Sequence, residues 1–218
     1  VEKWTNLIKL KESGLVAVIR KPKENQAVPI AEALVEGGVG ALEITVDTKG
    51  SYQLIERIKE KFGKEVLVGA GTVLDAETAK MAIDAGADFI FSPNFDEPTV
   101  RMANRYGKIS IPGVMTPTEA VNAYTAGADL LKVFPGDSLN QNFIKNLQGP
   151  LSHIPVMPTG GITVDNAEFF IRSGAVALGV GGSLVDKKAI KAEDYGKLTE
   201  IARHFKAAIE RGRSNEEE

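Results

Sequence analysis

In Ala126-Gly127-Ala128-Asp129-Leu130-Leu131-Lys132-Val133-Phe134-Pro135, the end of a helix passes through a glycine into a short apolar strand with a lysine in its middle. Similar junctions recur as Glu36-Gly37-Gly38, Ala85-Gly86-Ala87-Asp88 and Ser173-Gly174-Ala175. Glycine is favoured just past a helix C-terminus because it adopts the left-handed conformation without a Cβ penalty. Each junction therefore reads as a tight helix-to-strand connection.

Apolar runs of this kind occupy residues 15–20, 41–45, 66–69, 88–92, 108–111, 129–134, 155–159 and 175–180, at a period of about 20 to 26 residues. Between them, stretches such as 27–36, 52–62, 76–85, 97–106, 118–126 and 166–173 repeat apolar residues at three- and four-residue spacing, as amphipathic helices do. Strict alternation with short loops predicts an α/β fold with a parallel sheet. Eight units favour closure into a (β/α)8 TIM barrel, one domain over residues 1–213. An open doubly wound sheet is the alternative. It lacks the Gly-x-Gly-x-x-Gly that a dinucleotide site would need after the first strand. Residues 1–11 mix charges with Trp4, Leu7, Ile8 and Leu10. They predict an extra N-terminal amphipathic helix, stapled by Trp4, rather than the apolar core of a signal peptide. Residues 214–218 are expected to form a disordered acidic tail.

The 218 residues are 43% hydrophobic and 25% charged, with a net charge of −3. That balance provides no electrostatic footprint for nucleic acid or an anionic membrane. No apolar run approaches the roughly 18 residues of a membrane span. With no cysteine, thiolate catalysis, disulfides and thiolate metal sites are excluded. The two histidines, His153 and His204, lack partners at metal-ligand spacing and are expected at the surface or in packing.

Lys132 lies between Leu131 and Val133 in a run that looks covered on both faces, as parallel strands are. Burying a lone ammonium costs several kcal/mol or drives the group towards the neutral amine, a nucleophile for ketones. The plainer alternative is a lysine whose stem packs while its head reaches water. In Leu42-Glu43-Ile44-Thr45, alternation turns Glu43 and Thr45 towards the barrel axis and Leu42 and Ile44 towards the helices. Glu43 and Lys132 then converge from different strands, either as a catalytic pair or as a buried structural ion pair.

Other strand ends are also polar or glycine-rich, where barrels place function. In Gly69-Ala70-Gly71-Thr72-Val73 two glycines let the backbone approach a ligand closely and Thr72 offers a rim hydroxyl, while Ser92-Pro93-Asn94 and Pro112-Gly113 form rim turns. Two glycine clusters close the last strands: Pro158-Thr159-Gly160-Gly161-Ile162 and Gly179-Val180-Gly181-Gly182-Ser183. Backbone N–H groups of such loops can hold phosphate, with Ser183 as a further donor. Coincidental turn glycines are the alternative.

Taken in order, Leu42-Glu43-Ile44-Thr45, Gly69-Ala70-Gly71-Thr72-Val73-Leu74, Ser92-Pro93, Ile111-Pro112-Gly113, Leu131-Lys132-Val133-Phe134-Pro135 and Pro158-Thr159-Gly160-Gly161-Ile162 resemble the 2-keto-3-deoxy-6-phosphogluconate / 4-hydroxy-2-oxoglutarate aldolases. The likeness runs from about residue 15 to residue 185. It implies a (β/α)8 barrel, a cytoplasmic homotrimer, and a class I aldolase that needs neither metal nor cofactor. It further implies Lys132 as the Schiff-base lysine and Glu43 as the general acid/base. Arg20, Thr45, Thr72, Pro93, Phe134 and Thr159 become the expected contacts of a small 2-keto acid or sugar-acid phosphate. Gly160, Gly161, Gly181, Gly182 and Ser183 become the expected phosphate loops.

One position departs from the pattern. Many members carry an arginine four residues after the glutamate, clamping the substrate carboxylate, whereas this chain has Asp47. Arg20, at the end of the first strand, is placed to replace it, or else simply pairs with Asp47. Pro93-Asn94 and the missing arginine also resemble the 2-keto-3-deoxy-6-phosphogalactonate aldolases. Two further readings use the same residues. One is another phosphate-binding barrel enzyme, an isomerase, an epimerase or similar to a thiamine-phosphate synthase. The other is a non-catalytic phosphosugar-binding trimer.

Overall fold

The computed structural model describes residues 2–138 and 142–214. Helix α1 (Glu2–Ser13) leads into β1 (Leu15–Ile19), α2 (Ala27–Glu36), β2 (Ala41–Thr45), α3 (Ser51–Phe62), β3 (Leu67–Gly71), α4 (Ala76–Asp84) and β4 (Phe89–Phe91). There follow α5 (Glu97–Arg105), β5 (Ile109–Ile111), β6 (Gly113–Val114), α6 (Pro117–Thr125), β7 (Leu131–Val133) and α7 (Phe143–Leu151). The chain closes with β8 (Val156–Pro158), α8 (Val164–Arg172), β9 (Leu178–Val180), α9 (Lys187–Lys191) and α10 (Tyr195–Ser214).

Every strand pairing is parallel, and the sheet curls. One ladder runs β5-β4-β3-β2-β1-β9 and a second runs β6-β7-β8. A parallel bridge from Thr159 to Gly179 links the end of β8 to β9. The expected fifth strand is β5, but where a rim turn was expected at Pro112-Gly113 the chain resumes as β6, interrupted only at Pro112, which has no N–H to donate to a ladder. Both pieces nevertheless face the next unit. The Asp129 N–H donates to the Ser110 carbonyl (3.1 Å) and the Lys132 N–H to the Pro112 carbonyl (2.9 Å).

The Ala-Gly-Ala-Asp junctions owe their aspartates to this register. Asp88 accepts a hydrogen bond from the Val68 N–H (3.0 Å), and Asp129 accepts one from the Ser110 N–H (2.9 Å). Each carboxylate thus holds the start of its strand against the neighbouring one. Lys59 pairs with Asp88 and Lys3 with Asp129, so neither charge is left alone.

Side-chain alternation divides the apolar residues into two cores. Leu42, Ile44, Val68, Ile90, Leu131 and Val133 pack outward against the helices. Val16, Ala41, Leu67, Phe89, Phe91, Ile109, Leu130 and Met157 pack together on the concave face. Leu7 and Leu10 of α1 join the concave cluster, so the first helix seals the interior where the strands begin.

Several expectations need correction. Trp4 is 62% exposed and staples nothing; Leu7 and Leu10 do the anchoring. Ser214 is the last residue of a 20-residue helix rather than part of a tail. Residue 1 and the remaining tail residues, 215–218, lie outside the described residues. Helices α7, α9 and α10 were not individually assigned from the sequence. His153 and His204 are exposed, His153 meeting Tyr124 edge-on at 5.5 Å. Among the described residues no helix is long and apolar enough to cross a membrane.

Because Leu10 is fully buried, Leu10→Ala is expected to cost about 2–5 kcal/mol in urea unfolding. Trp4→Ala should stay within about 0.5 kcal/mol of the parent. Equal losses for the two substitutions would show that α1 does not belong to the interior core.

Candidate active site

Glu43 projects from the middle of β2, opposite Gly69 on β3 and Val18 on β1. It is 1% exposed. The carboxylate fits because Gly71 has no side chain: a Cβ there would lie 1.6 Å from Glu43 Oε1. The concave face is thereby shaped around the acid. Oε2 is buried with no hydrogen-bond partner among the described residues. Burial without donors disfavours the anion and pushes the carboxyl up to about 7, although Lys132 and Arg20 pull the other way. A carboxyl poised there can both give and take a proton near neutral pH.

Lys132 projects from β7, in register with Gly113 and Met157. It is 6% exposed, so the solvent-reaching alternative does not hold. Burial lowers its proton affinity below the ordinary lysine range; Glu43 opposes this and Arg20 adds to it. The amine lies over two aromatic faces, with Nζ 4.2 Å from the Phe91 ring centroid and 4.5 Å from that of Phe134. Glu43 and Lys132 attract one another, yet one carboxylate oxygen stays unpaired. A tightly closed structural ion pair would look different.

At the rim, Arg20 donates through Nη1 to Asp47 and through Nη2 to Thr72 Oγ1, both at 3.2 Å. Lys21 also pairs with Asp47, at 3.0 Å. Arg20 thus makes the pairing with Asp47 that the sequence offered as the alternative to a substrate clamp. Partial burial would raise the Asp47 carboxyl, but hydrogen bonds with Thr45 and Lys21 and the charges of Arg20 and Lys21 hold it below the usual range. Thr45 is fully buried, and its hydroxyl meets that of Thr48 at 3.1 Å. It braces the rim from beneath. Thr72 has φ +60°, a strained conformation for a β-branched residue, and this turns its hydroxyl to Arg20.

Thr159 is buried against the opposite wall, where Gly179 makes room for it: a Cβ on Gly179 would stand 2.3 Å from Thr159 Oγ1. Gly160 and Gly161 follow with φ +92° and +67°, Gly160 next to the Phe134 ring. The Ser183 hydroxyl donates to the Ile162 carbonyl. It ties the two glycine loops together. Asp137 packs against Gly161. A cavity of about 690 Å³ beside β1, α2 and α9 is bounded by Arg20, Gly181 and Gly182, but its lining includes neither Glu43 nor Lys132. Pro93 is half-buried, its carbonyl pressed against Gly113 in interlocking turns.

The KDPG and KHG aldolase family model matches residues 7–201. The chain belongs to this family. Among curated aldolases, the KHG/KDPG aldolase of Escherichia coli K12 is 37% identical, covering 87% of this chain and 89% of its own. The 2-dehydro-3-deoxy-6-phosphogalactonate aldolase of the same organism is 34% identical over 78% of this chain and 83% of its own. Among solved aldolases, the KDPG aldolase of Legionella pneumophila, with pyruvate captured as a covalent carbinolamine, superposes with a TM-score of 0.83 at 28% identity. The alignment covers 90% of this chain and 95% of that one.

Two features of this aldolase site escaped the sequence. Phe91 was not singled out within the apolar run 88–92, although alternation along β4 puts it on the concave face. Gly71 was read as room for a ligand; the room is taken by Glu43.

The buried acid has a consequence for stability. Its folded pKa, about 7, lies above the ordinary 4.5, so the folded state holds the proton more tightly. The chain therefore loses stability as pH rises from about 4.5 to 7, on the order of 3 kcal/mol in all. Glu43→Gln, which cannot ionise, should unfold at higher urea than the parent at pH 8, an advantage that shrinks towards pH 4.5. A Gln variant less stable than the parent at pH 8 would contradict the assignment.

Proposed function

We propose that the chain is a class I aldolase acting through an imine on Lys132. Its substrates are 2-keto-3-deoxy-6-phosphogluconate, cleaved to pyruvate and glyceraldehyde 3-phosphate, and/or 4-hydroxy-2-oxoglutarate, cleaved to pyruvate and glyoxylate. The observation that carries this reading is the buried amine, held below its ordinary range, beside a buried carboxyl poised near 7.

The neutral Lys132 amine attacks the 2-keto carbon. Glu43 gives a proton to the carbonyl oxygen and takes one from the nitrogen, leaving a neutral carbinolamine. The acid then protonates the departing hydroxyl, water leaves, and the nitrogen lone pair forms the iminium. Glu43, now a carboxylate, takes the C4 hydroxyl proton. The C3–C4 bond breaks into the iminium, the aldehyde departs, and a neutral enamine remains. Glu43 returns its proton to C3, and hydrolysis releases pyruvate and the amine. Each positioned proton transfer is typically worth 10²–10⁴-fold in rate.

Arg20 is the group on hand for the substrate carboxylate, held by Asp47 and Thr72 at the mouth. Thr159 and Phe134 would contact the sugar chain, and Gly160, Gly161, Gly181 and Gly182 would receive the phosphate through backbone N–H groups. The 2-keto-3-deoxy-6-phosphogalactonate aldolase activity is a second reading. It is favoured by Asp47 standing where the strand-two arginine is otherwise expected, with Arg20 in its place.

The same reading treats β5 and β6 as one stave, so that eight units close into a (β/α)8 barrel. Its support is the pair of hydrogen bonds that the Asp129 and Lys132 N–H groups make to Ser110 and Pro112, together with the Thr159–Gly179 bridge. A homotrimer in the cytoplasm belongs to the proposal through family resemblance.

Lys132→Ala should abolish pyruvate release, and borohydride reduction in the presence of pyruvate should add mass at Lys132 in the parent alone. Full activity in the mutant, with no adduct in the parent, ends the imine proposal. For Arg20→Ala, loss of a charge-assisted hydrogen bond should raise KM for the keto acid by roughly 10- to 100-fold. An unchanged KM on all three substrates would mean that Arg20 is not the clamp.

A further inference from the structure

The iminium proposed above is a cation generated in a buried site, and something must stabilise it there. Glu43 is an unsuitable permanent counter-ion, because the chemistry requires it to be alternately acid and carboxylate. Arg20, the other charged group acting on Lys132, repels a cation. Asp47 is already engaged by Arg20 and Lys21 at the rim. What remains at the nitrogen are two ring faces, Phe91 and Phe134, whose centroids lie 4.2 and 4.5 Å from Nζ. Both distances fall well within the roughly 6 Å over which a ring quadrupole attracts a cation, and desolvation strengthens that attraction.

We propose that Phe91 and Phe134 are catalytic residues: their faces form an aromatic cradle that stabilises the positive charge on the Lys132 nitrogen as the iminium forms. This deepens the aldolase reading and rests on it. The placement is built into the strands. Phe91 ends β4 on the concave face, fully buried, and Phe134 follows β7 two residues after the lysine, so alternation returns it to the same side. The bonding is balanced without either ring reacting. The nitrogen lone pair becomes the second C=N bond, water leaves with the proton from Glu43, and the rings meet the charge left on nitrogen. A neutral side chain suits this role because its field does not change when Glu43 changes protonation.

A ring that only fills volume would do so equally well with fluorine in place of hydrogen. Fluorination, by contrast, removes electron density from the face in graded steps. The test replaces Phe91 with mono-, di- and trifluorinated phenylalanine in the full chain, and repeats the series at the half-buried Phe134. It measures kcat, the pH–rate profile, the rate of borohydride-trapped pyruvate adduct and the melting temperature. The expected result is a stepwise fall in kcat and adduct formation, reaching roughly threefold to thirtyfold across a series. The limb of the pH profile that reports the amine should move to lower pH as the ammonium loses the same support. The melting temperature should not follow the trend. Flat rates across both series in an enzyme that still forms the adduct would overturn the cradle and leave the aldolase standing. Failure of the unsubstituted protein to form any adduct would overturn both.

Discussion

A carboxyl buried with an oxygen that no donor among the described residues satisfies is the constraint on which the rest of this molecule turns. Folding alone would select against it, because burying an unpaired acid costs stability and an apolar residue at position 43 would not. The cost is reduced by keeping the acid protonated up to about pH 7. The amine of Lys132 is treated in the same way, with burial favouring its neutral form. Two groups that would be a salt bridge in water become, inside the curled sheet, an acid and a base whose proton states can be exchanged. That is a poor arrangement for stability and a good one for proton transfer.

The interior accommodates these groups by subtraction. Gly71 leaves the space into which Glu43 reaches, Gly69 leaves the space for the Phe89 ring, and Gly179 leaves the space for Thr159. In each case a Cβ would come within 2.3 Å of the neighbour's atoms. These glycines need no unusual backbone conformation; what they supply is absence of volume. The large inward residues are therefore staggered against small ones on adjacent strands, which packs a narrow interior without strain.

Much of this was legible in the sequence, and the reasons differ between elements. Alternation along β2 and β7 put Glu43 and Lys132 on the concave face, because a period of two leaves no choice once one neighbour is known to be buried. The Ala-Gly-Ala-Asp repeats marked the helix-to-strand turns. Their aspartates were illegible, since the amides they accept from belong to other strands and only tertiary contact brings them together. The break at Pro112 was legible from the missing N–H, but the resumption as β6 was not, since its pairing partner lies on β7. The tie from Ser183 to the Ile162 carbonyl was also illegible, because it joins two loops that only the fold brings together.

Arg20 connects the rim to the chemistry. Its positive charge lowers the proton affinity of both Glu43 and Lys132, while Asp47, bound to it, raises that of Glu43. The rim pair is thus a dipole standing over the acid and the amine. A substrate carboxylate drawn to the guanidinium would add negative charge at that point and offset part of the arginine's field. By Coulomb's law the Glu43 proton would then be held more tightly as the ketone arrives. That is the state required, since the carbonyl oxygen must be protonated as the amine attacks. Departure of the carboxylate with pyruvate would reverse the change. An arginine anchored by an acid can in this way bind the substrate and also set the acid for the first proton transfer, whereas an unanchored arginine would hold Glu43 further towards its anion throughout.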